Sequence, residues 1–416
     1  MSNLIKIFTE MKNLSKNFSL DEKKINDILL DISNNLIKNK ELIIDENKKD
    51  LANVNPQNPM YDRLLLNENR INTIANDLLN IIKIPSPLKK ILEERNLKNG
   101  LKLQKISVPL GVVSVIFESR PNVTLDVFSL CLKSGNICIL KGGKEAYYSN
   151  KVLIDIIKKS LEENKVNSKI IFLLPNERNA AEELFNATGL IDVCIPRGGK
   201  GLIDYVRQNS KIPVIETGAG IVHTYFDESG DLLKGISIIE NAKTRRVSVC
   251  NALDTLIIHK NRLSDLFKLI EPLIGKNVTI YADEKSHAFL VNKYPGSLLN
   301  IAHEEHYGIE FLDYKMSIKT VDSLENAIEH IHKYTSSHSE AIIAEDKEVL
   351  EEFLHKVDAA VVYANAPTSF TDGGQFEMGS EIGISTQKLH ARGPMALNEL
   401  TSYKWLVRGN GQTRQT

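Results

Sequence analysis

Residues 112–143 read VVSVIFESRPNVTLDVFSLCLKSGNICILKGG. An apolar run from Val112 to Phe117, a stretch of helical character and a second apolar run at 137–140, stopping at Lys141-Gly142-Gly143, make one strand–helix–strand unit. Further short apolar runs follow at 170–174, 191–195 and 213–215. A second series begins beyond residue 250, with strands expected at 253–259, 278–281, 341–344 and 359–362 and helices at 261–270, 323–334 and 347–357. Such alternation predicts βαβ units, hence α/β domains built on parallel sheets. Upstream, residues 1–95 carry helical spacing, for example Ile71, Ile74, Leu78 and Ile81, until Pro85 and Pro87 stop it. Residues 101–107 and 403–407 read as half-buried strands outside either sheet, of the kind that pair between subunits.

Composition limits the function classes. With 52 Lys+Arg against 53 Asp+Glu the net charge is −1, which argues against a dedicated nucleic-acid binder. The N-terminal residues mix charges with apolar side chains and do not read as a signal peptide, and no apolar run reaches the length of a membrane span. A cytoplasmic protein is expected, without a membrane or nucleic-acid partner. Four cysteines (Cys131, Cys138, Cys194, Cys250), none in a CxxC pair, do not suit a disulfide framework or a zinc site. No metal is expected either, because His303-Glu304-Glu305-His306 is not HExxH and His330 and His332 point in two directions on a helix.

Standard nucleotide fingerprints are missing, since Gly218-Ala219-Gly220 is not GxGxxG and Gly199-Lys200 lacks a following Ser or Thr. Lys141-Gly142-Gly143-Lys144 and Arg197-Gly198-Gly199-Lys200-Gly201 each follow an expected strand and precede a helix. Backbone amides at such helix starts, with lysines beside them, suit phosphate or ribose, although a tight turn alone accounts for either tract. Cys250 sits just before an expected strand, with Arg245 and Arg246 upstream. Nearby cations favour the thiolate, the reactive form, while a buried structural thiol is the commoner situation and the one expected for the other three cysteines.

Taken in order, several tracts resemble the gamma-glutamyl phosphate reductase family of the aldehyde dehydrogenase superfamily. They are Glu118-Ser119-Arg120-Pro121-Asn122-Val123-Thr124, Glu216-Thr217-Gly218-Ala219-Gly220, Asn241-Ala242-Lys243-Thr244, Val249-Cys250-Asn251-Ala252 and Phe370-Thr371-Asp372-Gly373-Gly374. The longest runs from Glu381 through Ser385, Thr386, His390 and Arg392 to Met395, and residues 321–342 carry a further signature. The resemblance implies an aldehyde-dehydrogenase-like fold. Its parts would be a Rossmann-type cofactor-binding domain (1–97, 109–226 and 361–378), an α/β catalytic domain (227–360) carrying Cys250, and a small β oligomerisation element (98–108 and 379–416).

The implied activity is NADPH-dependent reduction of L-glutamyl 5-phosphate to L-glutamate 5-semialdehyde and phosphate through a Cys250 thioacyl enzyme, the second step of proline synthesis from glutamate. Cys250 would be the nucleophile, Asn122 an oxyanion donor and Glu216 a proton-managing group. NADPH/NADP would be held by Lys141, Lys144, Ser134, Gly198, Gly199 and Glu310, with Lys144 favouring the 2′-phosphate. Substrate contacts would come from Arg120, Ser385, Thr386 and Arg392. A homo-oligomer is implied, and contact with glutamate 5-kinase, because glutamyl phosphate is labile. Ser369 stands where the family usually has an arginine, Val247 where a proline is expected, and Ile221-Val222 where Asn-Cys is expected. Two other readings stay open: a hydrolytic aldehyde dehydrogenase for another small semialdehyde, and a non-catalytic nucleotide-binding partner of a kinase.

Overall fold

The structure is a computed structural model that describes residues 2–414; residue 1 and residues 415–416, at the ends of two expected segments, lie outside the described residues. The chain forms two compact units. The first comprises Met1–Thr217, Glu377–Gly383 and Pro394–Thr416, and the second Gly218–Phe376 and Ile384–Gly393.

A four-stranded parallel sheet centres the first unit, ordered Ile171–Leu173, Ile137–Lys141, Val112–Phe117, Val193–Arg197. Every residue of Val112–Phe117 is buried, as a near-continuous apolar run in a parallel sheet with both faces covered requires, and the one polar member, Ser114, donates its hydroxyl to the Val193 carbonyl at 3.1 Å. Each such Val, Ile or Phe contributes roughly 1.5–3 kcal/mol by leaving water. Chain order reverses between Val112–Phe117 and Val193–Arg197, a topological switch point where α/β sheets leave a crevice beyond the strands' carboxyl ends. The helical layer expected at the N-terminus is present as Asn3–Asn17, Glu22–Lys38, Lys40–Leu51, Pro59–Leu64 and Glu68–Lys83. Side-chain caps start all of these helices but Lys40–Leu51, for example Asn67 Oδ1 accepting from Arg70 N at 2.9 Å. The expected run at 213–215 is only a bridge, Cys194 to Val214, extending the edge beside Val193–Arg197.

This unit also holds a separate three-stranded antiparallel sheet, ordered Ile91–Asn96, Lys102–Pro109, Thr401–Arg408. Its middle and last strands match the expected runs. The first was not legible, because Ile91-Leu92-Glu93-Glu94-Arg95-Asn96 lacks alternation and is almost wholly exposed.

The second unit is built on a seven-stranded parallel sheet, ordered Leu299–Ile301, Thr279–Ala282, Lys315–Val321, Thr255–His259, His223–Phe226, Ser339–Ile343, Val361–Ala364. Period-2 alternation divides its strands between two cores. Leu256, Ile258, Phe226 and Ile343 pack on one face with the helix Leu232–Thr244, and Ile257, Tyr225 and Ile342 on the other with Leu324–Tyr334. The compact units divide at 217/218, whereas the expected boundary is at 226/227. Strand His223–Phe226 pairs in parallel with both Thr255–His259 and Ser339–Ile343, and Val361–Ala364 pairs with Ser339–Ile343, so both belong to this sheet rather than to the first unit. Among the described residues no helix is long and apolar enough to cross a membrane.

Candidate active site

Three thiols are removed from chemistry by packing. Cys131, Cys138 and Cys194 are buried, and burial pushes the Cys194 thiol up to about 12 and Cys138 well above the ordinary range. Cys250 differs: it is half-buried, in the loop between helix Leu232–Thr244 and strand Thr255–His259. Arg245 and Arg246 on that loop are exposed.

Close backbone approach shapes the surroundings of Cys250. A Cβ built on Gly220 would overlap the Cys250 carbonyl, so only glycine fits there. The Gly220 amide donates to Glu310 Oε1 at 2.9 Å, and the Ile221 amide to Ser336 Oγ at 2.8 Å. Next to the cysteine, Asn251 Nδ2 donates to the Thr371 carbonyl at 3.0 Å and to the Ser369 carbonyl at 3.3 Å, while Thr368 Oγ1 donates to the Asn251 carbonyl at 2.9 Å. Ser369 is buried and its hydroxyl donates to Asn241 Oδ1 at 2.6 Å. Residue 369 thus ties the cysteine loop to the helix before it.

Of the other expected residues in this unit, Thr386 packs against Gly218, where a Cβ would overlap it. Ser385 is buried with no hydrogen-bond partner for its hydroxyl. Arg392 bonds Asp358 Oδ1 at 2.8 Å, and Lys388 bonds Asp358 Oδ2 at 2.6 Å. These two cations hold the Asp358 carboxyl below the usual carboxylate range. Arg392 is thus ion-paired within the second unit, while its buried Nε has no hydrogen-bond partner.

In the first unit, Arg120, Asn122 and Glu216 are half-buried and Lys144, Gly198 and Gly199 exposed. Asn122 Nδ2 donates to Asp126 Oδ2 at 2.9 Å, and Arg207 approaches Glu216 at 3.8 Å. Burial pushes the Asp126 carboxyl up to about 6 against the pull of Arg197. Gly198 and Gly199 lie at the switch point, and Glu118 Oε2 accepts from the Gly199 amide at 3.0 Å at the start of helix Lys200–Asn209. Lys141 ends its strand half-buried; burial first, then the charge of Lys144, lowers its ammonium pKa.

Ser134 corrects the sequence reading. It caps the C-terminal end of helix Val123–Lys133, is fully buried, and its hydroxyl donates to the Leu130 carbonyl at 2.6 Å while accepting from Asn136 Nδ2 at 2.8 Å. It precedes the strand whose opposite end carries Lys141, a strand about 13 Å long at ~3.3 Å per residue. Ser134 is a structural cap and leaves the candidate cofactor set. Sequence reasoning missed Asp254, which is buried and accepts from the amides of Val222 at 3.3 Å and Phe311 at 3.1 Å. Only sheet register brings those segments together.

No family model matches the chain. It is 58% identical over 396 residues to a gamma-glutamyl phosphate reductase from Chlorobium phaeobacteroides (strain BS1), covering 95% of both chains. The crystal structure of gamma-glutamyl phosphate reductase from Thermotoga maritima superposes with a TM-score of 0.92 at 35% identity over 99% of both chains. An acetylating aldehyde dehydrogenase from Geobacillus thermoglucosidasius shares the fold, with a TM-score of 0.72 at 17% identity over 99% of this chain and 98% of the other. Identity at this level across nearly the whole length, on the expected aldehyde-dehydrogenase-like fold, means that the chain belongs to the gamma-glutamyl phosphate reductase family.

Proposed function

We propose that this protein reduces L-glutamyl 5-phosphate to L-glutamate 5-semialdehyde, the step of proline biosynthesis that its relatives are named for, with Cys250 as nucleophile. The observation that carries the assignment is the contrast among the four thiols: three are buried, and the half-buried one lies on the family motif with Gly220 pressed against its carbonyl.

The Cys250 thiolate attacks the acyl carbon, the C–O bond to phosphate breaks, and a thioester remains on the enzyme. Donors for the developing oxyanion are the Cys250 backbone amide and the Asn122 side chain, whose orientation the Asp126 contact fixes. NADPH, when bound, supplies the hydride that reduces the thioacyl carbon. Collapse of the resulting hemithioacetal breaks the C–S bond, releases the aldehyde and returns the thiolate. Glu216 manages protons rather than activating water, since phosphate and not hydroxide is the exchanging group.

The residues present fit the coenzyme. Gly199 and Gly201 leave the start of helix Lys200–Asn209 open, with no atom within 4 Å of a Cβ built on Gly201, and burial together with the charge of Lys144 lowers the Lys141 ammonium pKa. An anion between those ammoniums relieves that repulsion. Lys144 would meet a 2′-phosphate, Lys141 the adenine ribose, the Gly198–Gly199 turn the pyrophosphate and Glu310 the nicotinamide ribose. Arg120, Ser385, Thr386 and Arg392 are the proposed substrate contacts. The expected division into cofactor, catalytic and oligomerisation parts is retained as a proposal, with residues 218–226 and 361–376 placed with the second sheet.

A cytoplasmic homo-oligomer is the form we assign. Channelling from glutamate 5-kinase is part of the same proposal, and absence of both co-elution and a rate gain on mixing the two enzymes would count against it. The deciding test of the activity is reduction of NADP⁺ by glutamate 5-semialdehyde with and without phosphate, for wild type and Cys250→Ala. Activity needing both phosphate and Cys250 is expected; activity independent of phosphate would favour a hydrolytic dehydrogenase, and none at all a non-catalytic role.

A further inference from the structure

Two buried charges bracket the loop that carries Cys250. Lys243 lies in the last turn of helix Leu232–Thr244 and Asp254 immediately precedes strand Thr255–His259; they are 0% and 2% exposed. Burial lowers the Lys243 ammonium and raises the Asp254 carboxyl, and each is restrained by the other's charge. Lys243 Nζ donates to the Leu253 carbonyl at 2.9 Å and the Leu253 amide to the Ala242 carbonyl at 3.0 Å, so the base of the loop is closed on itself. Asp254 is a hub. Its carboxylate accepts from the amides of Val222 and Phe311, its own amide donates to the Val222 carbonyl at 3.0 Å, and its carbonyl accepts from Ser317 N at 2.7 Å.

The two segments gripped by that carboxylate meet each other beside the cysteine. Gly220 packs against the Cys250 carbonyl and donates to Glu310, the neighbour of Phe311. Burying two charged groups is a poor source of stability, because an apolar pair of similar volume does as well or better without their desolvation. What it does offer is direction: a carboxylate with two backbone donors fixes both segments relative to one point.

We propose that Lys243 and Asp254 are positioning residues, which hold the Gly220–Val222 and Glu310–Phe311 segments in register with the Cys250 loop. The proposal rests on the assignment of Cys250 as nucleophile and Glu310 as a coenzyme contact.

Asp254→Asn puts an amide nitrogen where one of the two backbone donors needs an acceptor. Asp254→Glu keeps a carboxylate that both amides can reach. Each variant is compared with wild type well below its own melting temperature, by kcat, by KM for NADP⁺, and by the rate at which iodoacetamide alkylates Cys250 without coenzyme. For Asp254→Asn the expected result is a kcat reduced and a KM for NADP⁺ raised, each by about tenfold, with an altered alkylation rate and substantial recovery in Asp254→Glu. Should Asp254→Asn not fold, Lys243→Met carries the same expectation, since the Leu253 carbonyl then loses the Nζ donor that closes the base of the loop. A lowered melting temperature with kcat, KM and alkylation unchanged would overturn the proposal, as would Asp254→Glu behaving no better than Asp254→Asn. If wild type does not reduce NADP⁺ at all, the functional reading fails, and alkylation alone decides the positioning role.

Discussion

The carbonyl oxygen of Cys250 occupies the place a side chain on residue 220 would need. Gly220 is therefore set by backbone approach, not by a turn conformation. Gly220→Ala must push the cysteine loop away, and a displacement near 1 Å at a reacting group costs on the order of a hundredfold in rate. We expect kcat/KM to fall by about that much, while Gly275→Ala, where a Cβ meets nothing within 4 Å, stays near wild type. Comparable kinetics for the two variants would show that the loop tolerates the shift.

Lys144 is exposed beside Lys141 at the end of its strand, in the position assigned to the 2′-phosphate. Lys144→Glu replaces attraction by repulsion of that group while leaving NADH unopposed. The ratio of kcat/KM for NADPH over NADH should drop by about ten- to a hundredfold, corresponding to roughly 1.4–2.7 kcal/mol. An unchanged ratio in steady-state assays would remove Lys144 from coenzyme selection.

Much of this was legible in the sequence because the chemistry sits at strand ends, where consecutive residues stay together. Val112–Phe117 followed by Glu118 to Asn122, and Val193–Arg197 followed by Gly198-Gly199, are each one strand and the turn it feeds. Cys250 was singled out by the family resemblance, since two upstream arginines alone did not outweigh a structural role for the thiol. Ser134 failed because a helix C-cap and the far end of the next strand are close in sequence but separated by the strand's length. His223–Phe226 was missed since four residues beginning with His and Thr carry no period, and only pairing on both sides makes them a central strand. Asp254 was invisible as a hub because its partners, Val222 and Phe311, lie 32 and 57 positions away.

His330 is packed among the rings of His223, Tyr307 and Tyr334, and its Nε2 has no hydrogen-bond partner. Burial, aided by the nearby His223, lowers its pKa to about 3, and burial lowers His338 to about 4. Both folded values lie below the unfolded value near 6.5. Their neutral forms therefore stabilise the fold above about pH 6.5, and that stabilisation is lost as pH falls through the window down to about 3–4. Each group adds a slope of up to about 1.4 kcal/mol per pH unit there. His330→Phe, which keeps a ring and removes the titration, should reduce the loss of urea stability between pH 7 and pH 5 by about 2 kcal/mol. An identical pH dependence in wild type and variant would show that water reaches this imidazole.

Among the described residues strand Thr401–Arg408 pairs along one side only, with Lys102–Pro109, and turns Tyr403, Trp405 and Val407 outward at 53%, 42% and 57% exposure. Residues two apart share a face, so these three form one apolar stripe on an edge strand. Lys105 covers part of it, its Nζ 3.8 Å from the centre of the Tyr403 ring, but a single ammonium does not shield the strand. Exposed edges of this kind either aggregate or are covered by another chain. A second copy of this protein is the covering we expect, and sedimentation should report a dimer or a larger closed assembly. Trp405→Glu combined with Val407→Lys should shift it to monomer with little change in the melting of either compact unit, because the substituted side chains are exposed within one chain. A monomeric wild type would leave the stripe to another partner, and an unchanged assembly in the double variant would place the subunit contact elsewhere.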